Sequence, residues 1–329
     1  MRYRLIIGLL ATLHSSAFAE QSFIADKALD APVLDLTQHN GAVLAVGDRG
    51  HVLRAEGDSW RQMQVPSRVM LTAVTGHNGG VWAVGHDATI LTSHDNGASW
   101  SQTLSLPERD KPLLDVIALN DKHLLAVGAY GLMFRSEDGG QSWQEEFHDE
   151  LLFPEDRDYL LELKAEDEAL YLDERSAILP HFNRITQLAD GRLYMVGEMG
   201  FVAVSEDQGR HWQALEPFYF GSLYDLIELS DGSLLAMGLR GHLFLSEDGN
   251  QWQELDSPVE STINAGTQLQ DGTVVLTANG GYLLVSKDNG RSFEAEILAK
   301  GVDLVTLSEG QGGGLTLATS EGIQRIALP

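Results

Sequence analysis

Short runs of apolar residues, several of them alternating with polar ones, recur along the chain, each closed by glycine or a polar cluster. That pattern predicts β-strands joined by tight turns, not amphipathic helices. Residues 126–143, AVGAYGLMFRSEDGGQSW, are the clearest copy: a strand, a glycine-flanked turn, a second strand, a polar turn and an aromatic. In the polar turn, Asp138 is placed to accept backbone N–H groups, and Gly139 and Gly140 are free to take positive φ. Trp143 opens the next strand with a large flat packing surface.

The turn follows the spacing Ser-x-Asp-x-Gly-x-x-Trp, known as the Asp box, and the unit around it recurs about seven times. Residues 42–64 hold a degenerate box with only Asp58 and Trp60 recognisable. Full or nearly full boxes follow at Asp95 with Trp100, Asp138 with Trp143, Asp207 with Trp212, and Asp248 with Trp252. Asp288 has Phe293 in the aromatic place, and the last unit, from residue 315, stops before any box. The final residue of the central turn gives the register: Gly50, Ala88, Gly131, Gly200, Gly241, Gly281 and Gly322, with steps of 38, 43, 69, 41, 40 and 41 residues. A period near forty with four strands per unit is that of a β-propeller blade. The fold class is therefore all-β, a seven-bladed β-propeller of four-stranded blades. The seventh unit lacks an outer strand, and residues 20–28 have no blade of their own. Pairing the two would close the last blade with the N-terminal strand and remove a free sheet edge.

The 69-residue step contains an insertion at about 149–180. It is acidic, with Tyr159, Leu160 and Leu163 at helical spacing, and is expected to form a helical excursion.

A formal charge of −26 argues against nucleic-acid or anionic-membrane binding, which needs clustered Lys and Arg. The first nineteen residues read as a secretory signal peptide: Arg2 and Arg4, an apolar run from Leu5 to Leu13, and Ala17-Phe18-Ala19 as cleavage site. No other stretch has the length and apolarity of a membrane-spanning helix. The expected mature chain is thus residues 20–329, periplasmic, without direct membrane insertion and monomeric. With no cysteine, its core alone must hold it.

The phrases VPSRVMLTAV, VWAVGHDATIL, PLLDVIALN, LLAVGAYGLMFRSEDGGQSW and FGSLYDLIELSDGSLLAMGLRGHLFLSEDG carry a resemblance to a known group. They resemble the photosystem II stability/assembly factor-like family of propellers, within the wider Asp-box, or bacterial neuraminidase repeat, group. The resemblance implies a non-enzymatic factor that assists assembly of a membrane complex. It also implies the branch found in bacteria without photosynthesis, whose genes often sit beside large export transporters.

Catalytic chemistry finds little support in the residues. A sialidase-like site needs converging arginines, whereas Arg49, Arg68, Arg184, Arg240 and Arg325 are scattered, and no Phe-Arg-Ile-Pro stretch precedes the first box. Two glycosidase carboxylates cannot be located from linear sequence. There is no HExxH, cysteine pair or calcium loop, and His51 and His242 share a repeat position, which reads as structural. GAYG and GLRG lead into strands, not helices, so they form no phosphate loop. No catalytic, metal or cofactor site is expected, and the boxes are read as structural.

Binding remains. In a four-stranded meander the turn between strands two and three shares a face with the link to the next blade. That face is expected to carry Arg49, His86, Tyr130, Glu198 and Arg240, the link aromatics Phe218, Tyr219 and Phe220, and the insertion. The reading is an exported scaffold for a membrane or envelope protein complex. The alternatives are a sialidase-like glycoside hydrolase and an accessory binding protein of an export transporter.

Overall fold

The computed structural model describes residues 20–310 and 314–327, so the expected signal peptide lies outside the described residues. Seven antiparallel sheets follow one another at residues 33–63, 71–104, 113–146, 182–214, 223–255, 263–297 and 304–327. Six are four-stranded meanders and the seventh has three strands. Innermost strands of successive blades contact one another, and Val33–His39 of blade one contacts Leu304–Gly310 of blade seven, closing the ring. The molecule is a seven-bladed propeller, as the glycine spacing predicts.

The second strand of each blade is sandwiched between neighbouring sheets. Leu124–Gly128, Leu193–Gly197 and Leu234–Gly238 are buried at every position, which is why they read as continuous apolar runs. The hydrophobic layers lie between blades. Leu125, Val127 and Met133 of blade three, for example, pack against Phe182, Ile185 and Met195 of blade four. Outer strands such as Gln213–Ala214 and Glu294–Ile297 are exposed along their whole length.

The recurrent turn glycine has a physical cause. Gly200 sits at φ 70° with the Tyr219 carbonyl oxygen of the next link pressed where a Cβ would stand. Gly322, at φ 104°, meets the Leu29 carbonyl oxygen in the same way. Residues before blade one therefore serve as the seventh inter-blade link.

This corrects the expected closure. Residues 20–28 form no strand, and no described residue pairs with the outer edge of Gly322–Ala327. The N-terminal segment runs beside blade one because its polar groups find partners there. Ser22 N donates to Val65 O (2.7 Å) and Val65 N to Ser22 Oγ (2.9 Å). Gln62 Nε2 donates to Phe23 O (2.7 Å), and Ala25 N donates to Gln62 Oε1 (2.8 Å). Arg68 reaches Glu20 at 2.7 Å and lies over the Phe23 ring at 3.9 Å. Ala28 then fills the layer between blades seven and one, with Val33, Leu36, Leu53 and Ala318. Blade one also departs from the repeat: its outer hairpin turns through Gly57 and Asp58 alone, and Asp58 is fully exposed instead of capping a box.

Around the channel, the innermost strands are stitched by an alternating ring of hydrogen bonds. Asp35, Asp115 and Asp225 follow the pairing irregularity in blades one, three and five. Their carboxylates accept N–H bonds from Val74 (2.8 Å), Ile185 (2.8 Å) and Gly266 (3.0 Å) in the next blades. In the blades between, Thr72, Asn183 and Asn264 donate to the carbonyls of Leu113 (2.6 Å), Leu223 (2.8 Å) and Leu304 (2.7 Å). Six successive blade interfaces are joined in this way. Arg184 of blade four lies 3.2 Å from Asp115 Oδ1 and 3.4 Å from Asp225 Oδ1.

One cation among three buried carboxylates has a titration consequence. Burial, opposed by the charge of Arg184, pushes the Asp35 carboxyl up to about 6. A raised carboxyl binds its proton more tightly in the folded than in the unfolded chain. Stability must then fall as pH rises from the ordinary value of 3.8 to about 6. Asp35→Asn keeps an acceptor for the Val74 N–H and should flatten that fall. Thermal melts across this window check it, and an unchanged slope would show that Asp35 does not hold a proton there.

Candidate partner-binding face

The face shared by the central turns and the links is built from strained turn apices. Arg49, Asp87, Tyr130, Met199 and Arg240 all have φ between 53° and 58°, a left-handed conformation that bulky side chains seldom adopt. Each turn is closed by a backbone bond, such as His51 N to Asp48 O at 2.9 Å and Leu132 N to Ala129 O at 3.1 Å. Of the residues expected here, Arg49, His86, Tyr130 and Arg240 are exposed. Arg49 makes only a local pair with Asp48 at 3.2 Å. Glu198 is half-buried, 3.4 Å from His181 Nδ1. Its neighbour Met199, which nothing in the sequence marks out, occupies the apex and is 63% exposed.

The link aromatics divide: Phe218 and Tyr219 are half-buried and Phe220 is exposed. Phe218 stacks on Trp252 (4.9 Å between centroids) and meets Phe244 edge-on (5.0 Å). Tyr219 packs on His242 and Phe244 and donates its hydroxyl to Leu239 O at 3.3 Å. Both are spent on packing blade four against blade five, because blade five presents a wall of rings. Phe220 alone is free, at 87% exposed.

The insertion forms α1, Pro154–Glu166, and α2, Glu168–Arg175, with Pro154 starting α1 and Asp167 capping α2 through the N–H groups of Ala169 and Leu170. Leu151, Leu152, Leu160 and Leu179 anchor it in the layer between blades three and four. Its entry is pinned by His148, buried between Glu150 (2.8 Å) and Glu146 (3.4 Å). Burial disfavours the imidazolium, but the bonds to Glu146 and Glu150 outweigh it and raise the His148 pKa. Between α2 and blade three lies a cavity of about 490 Å³ lined by Arg109, Lys111, Tyr130, Phe147, Leu172 and Arg175, among others. Lys111 donates to Ser176 O and lies 5.2 Å from the Tyr130 ring centre, while Arg175 covers Phe147 at 4.5 Å. An insertion that reads as acidic thus lines its inner side with a cation.

The two faces differ sharply in polarity. Among the described residues, the exposed large hydrophobic side chains are Phe23, Ile24, Leu29, Met70, Tyr130, Phe153, Tyr159, Leu161, Leu170, Leu172, Met199, Phe220 and Ile297. All belong to links, central turns, the insertion or the end of a strand entering a link. The opposite face carries the boxes and turns such as Asn78-Gly79 and Ser230-Asp231-Gly232. Its carboxylates are satisfied locally. Asp95 accepts from Ser93 Oγ (2.8 Å), Ser99 N (2.8 Å) and Ser99 Oγ (2.6 Å), and the Ser99 hydroxyl bond does most to hold it at about 2. Asp138, Asp207, Asp248 and Asp288 are held in the same kind of turn, and Trp143, Trp212 and Trp252 pack beside them as Trp100 does at Asp95.

The arginines weighed for a sialidase site stand on separate elements. Arg184 is in the channel, Arg68 in the link between blades one and two against the N-terminal segment, Arg325 beside Asp58, and Arg49 and Arg240 on two different turns. Among the described residues, no group of three or more His, Asp or Glu side chains is arranged to hold a metal ion.

A closed ring of meander blades, five boxes with locally satisfied carboxylates and one face that carries the exposed large hydrophobic side chains define an Asp-box propeller architecture. The family model described as "Photosynthesis system II assembly factor YCF48" matches residues 52–167, from blade one through α1, and the resemblance to that family is borne out. The chain is 25% identical over 162 residues to the photosystem II assembly lipoprotein Ycf48 of Synechococcus sp. (strain CC9902), covering 49% of this chain and 41% of that protein. It is 33% identical over 112 residues to Ycf48 of Synechococcus sp. (strain JA-3-3Ab), covering 32% and 33%. The matched region thus spans less than half the length of either relative. A solved structure described as "YCF48 bound to D1 peptide" shares the fold with a TM-score of 0.67 at 19% identity, covering 92% of this chain and 95% of that one. These relatives are described as assembly proteins, not as enzymes.

Proposed function

We propose that this chain is an exported, non-enzymatic propeller that holds a segment of a membrane or envelope protein on its link face during assembly of a complex. The observation that carries the reading is the confinement of the exposed large hydrophobic side chains, among the described residues, to that face. The related propeller solved with a D1 peptide supports a peptide-binding role by analogy of fold. The signal-like residues 1–19 support a periplasmic location, and the acidic surface supports a monomer that stays soluble there. An export transporter is the partner the resemblance favours.

Met199 and Phe220 are the side chains to change, because neither holds the fold. Aspartate is tolerated at the left-handed Met199 position, and Phe220 is 87% exposed. Full burial of such a side chain against a partner stabilises by roughly 1.5–3 kcal/mol. Met199→Asp and Phe220→Asp should each leave the melting temperature unchanged and weaken photo-crosslinked capture of an envelope partner about tenfold or more. Capture at wild-type level by both variants would move the binding surface to the box face.

A further inference from the structure

Among the described residues the seventh blade has no outer strand, and the edge this leaves has a shape. Its third strand, Gly322–Ala327, is six residues long, whereas the third strands of the other blades run four or five. Each of those carries a short outer strand of two to five residues without proline, and no described residue pairs with Gly322–Ala327. The usual protections of a sheet edge are missing: the strand has no proline and no bulge. Its one charged side chain, Arg325, folds away across the seam. Nη2 donates to Gly57 O at 3.3 Å and Nη1 lies 3.7 Å from Asp58 Oδ1.

Beside this edge there is also room. In blades two to six the box turn lies over the preceding blade, so that a Cβ on Gly97 would run into Leu44, on Gly140 into Trp82, on Gly209 into Leu125 and on Gly249 into Tyr194. Blade one has only the Gly57-Asp58 turn. The corresponding place over Thr316 of blade seven is a groove of about 490 Å³, lined by Val43, Ala55, Asp58, Thr316, Arg325 and Ile326 with others.

We infer that the outer edge of blade seven is a second binding site, which takes an extended segment of a partner protein as its fourth strand. Backbone hydrogen bonds to Gly322–Ala327 supply the affinity, and the seam groove receives the residues flanking the strand. Charge selects the occupant. Glu321 stands exposed at one end of the edge, while Glu56 and Asp58 at the other are shared with Arg54, Arg61 and Arg325, so the bias comes from the chain as a whole, which carries −26. A second copy of this chain is repelled, while a segment bearing Lys or Arg is drawn in. This site is separate from the link face, and loss of either leaves the other standing.

Hydrogen exchange on the full mature protein tests it. Backbone amides of residues 323–327 that face outward should exchange at least tenfold faster than those of Leu243–Ser246, the paired third strand of blade five. Millimolar peptide Lys-Ser-Gln-Thr-Leu-Lys, which sets the outer-strand residues Ser101–Leu104 of blade two between lysines, should slow them at least tenfold. Added salt should weaken that protection, and the same peptide with glutamates at its ends should give none. Slow exchange without peptide would overturn the proposal by showing the edge already covered. If that protection grew with protein concentration, the cover would be a second copy. No protection by the lysine peptide would overturn it too.

Discussion

Arg184→Met is expected to destabilise the ring by roughly 3–5 kcal/mol, the range found when one partner of a buried charge cluster is removed. The guanidinium lies between Asp115 and Asp225 at 3.2 and 3.4 Å, and its charge also acts on Asp35. All three carboxylates already accept a backbone N–H from the next blade. Methionine fills the volume but leaves three buried anions facing one another. The cost should therefore shrink when the anions are removed with it: Arg184→Met with Asp115→Asn and Asp225→Asn should recover most of the loss, since asparagine can still accept from Ile185 and Gly266. Urea denaturation of the single and triple variants measures both. A single variant within about 1 kcal/mol of wild type would show that Arg184 is not what balances the channel charge. A triple variant no better than the single one would place the cost in packing instead.

The blade count was legible because one backbone requirement repeats. A link carbonyl presses on the last residue of the central turn at Gly50, Gly200, Gly241, Gly281 and Gly322, and the Leu179 side chain does so at Gly131, so glycine recurs there, while Ala88 is tolerated at φ 45°. The boxes were legible because their bonds close within a few residues, as between Ser136, Asp138 and Ser142. The channel ring escaped notice because its bonds join residues about forty positions apart, or 70 across the insertion, one per blade, and a lone Asp in a strand looks like any other. The signal existed: aligning the repeats stacks Asp35, Asp115, Arg184 and Asp225 in one column, opposite Val46, Val127, Val196 and Met237. On the binding face, three consecutive aromatics look equivalent in sequence. Only the fold brings Trp252, Phe244 and His242 against Phe218 and Tyr219 and leaves Phe220 bare.

Ring closure was misread for a related reason: an unpaired strand and an unassigned N-terminus look complementary on paper. The structure separates the two, and truncation can separate them in solution. Removing residues 20–25 takes away the bonds to Gln62 and Val65 and the Arg68 contacts, four direct backbone or amide bonds among them. At about 1 kcal/mol net for each bond, the expected loss is roughly 3–4 kcal/mol. Removing residues 20–30 also takes Ala28 out of the layer between blades seven and one, and Leu29 off Gly322. That deeper truncation should open the seam, lower the melting temperature further and expose the chain to proteolysis near blade seven. The outer amides of residues 323–327 provide the decisive contrast. Because residues 20–25 do not pair with that strand, the shorter truncation should leave exchange there unchanged while it destabilises blade one. Faster exchange at 323–327 after loss of residues 20–25 would mean that the N-terminal segment does complete the seventh blade in solution.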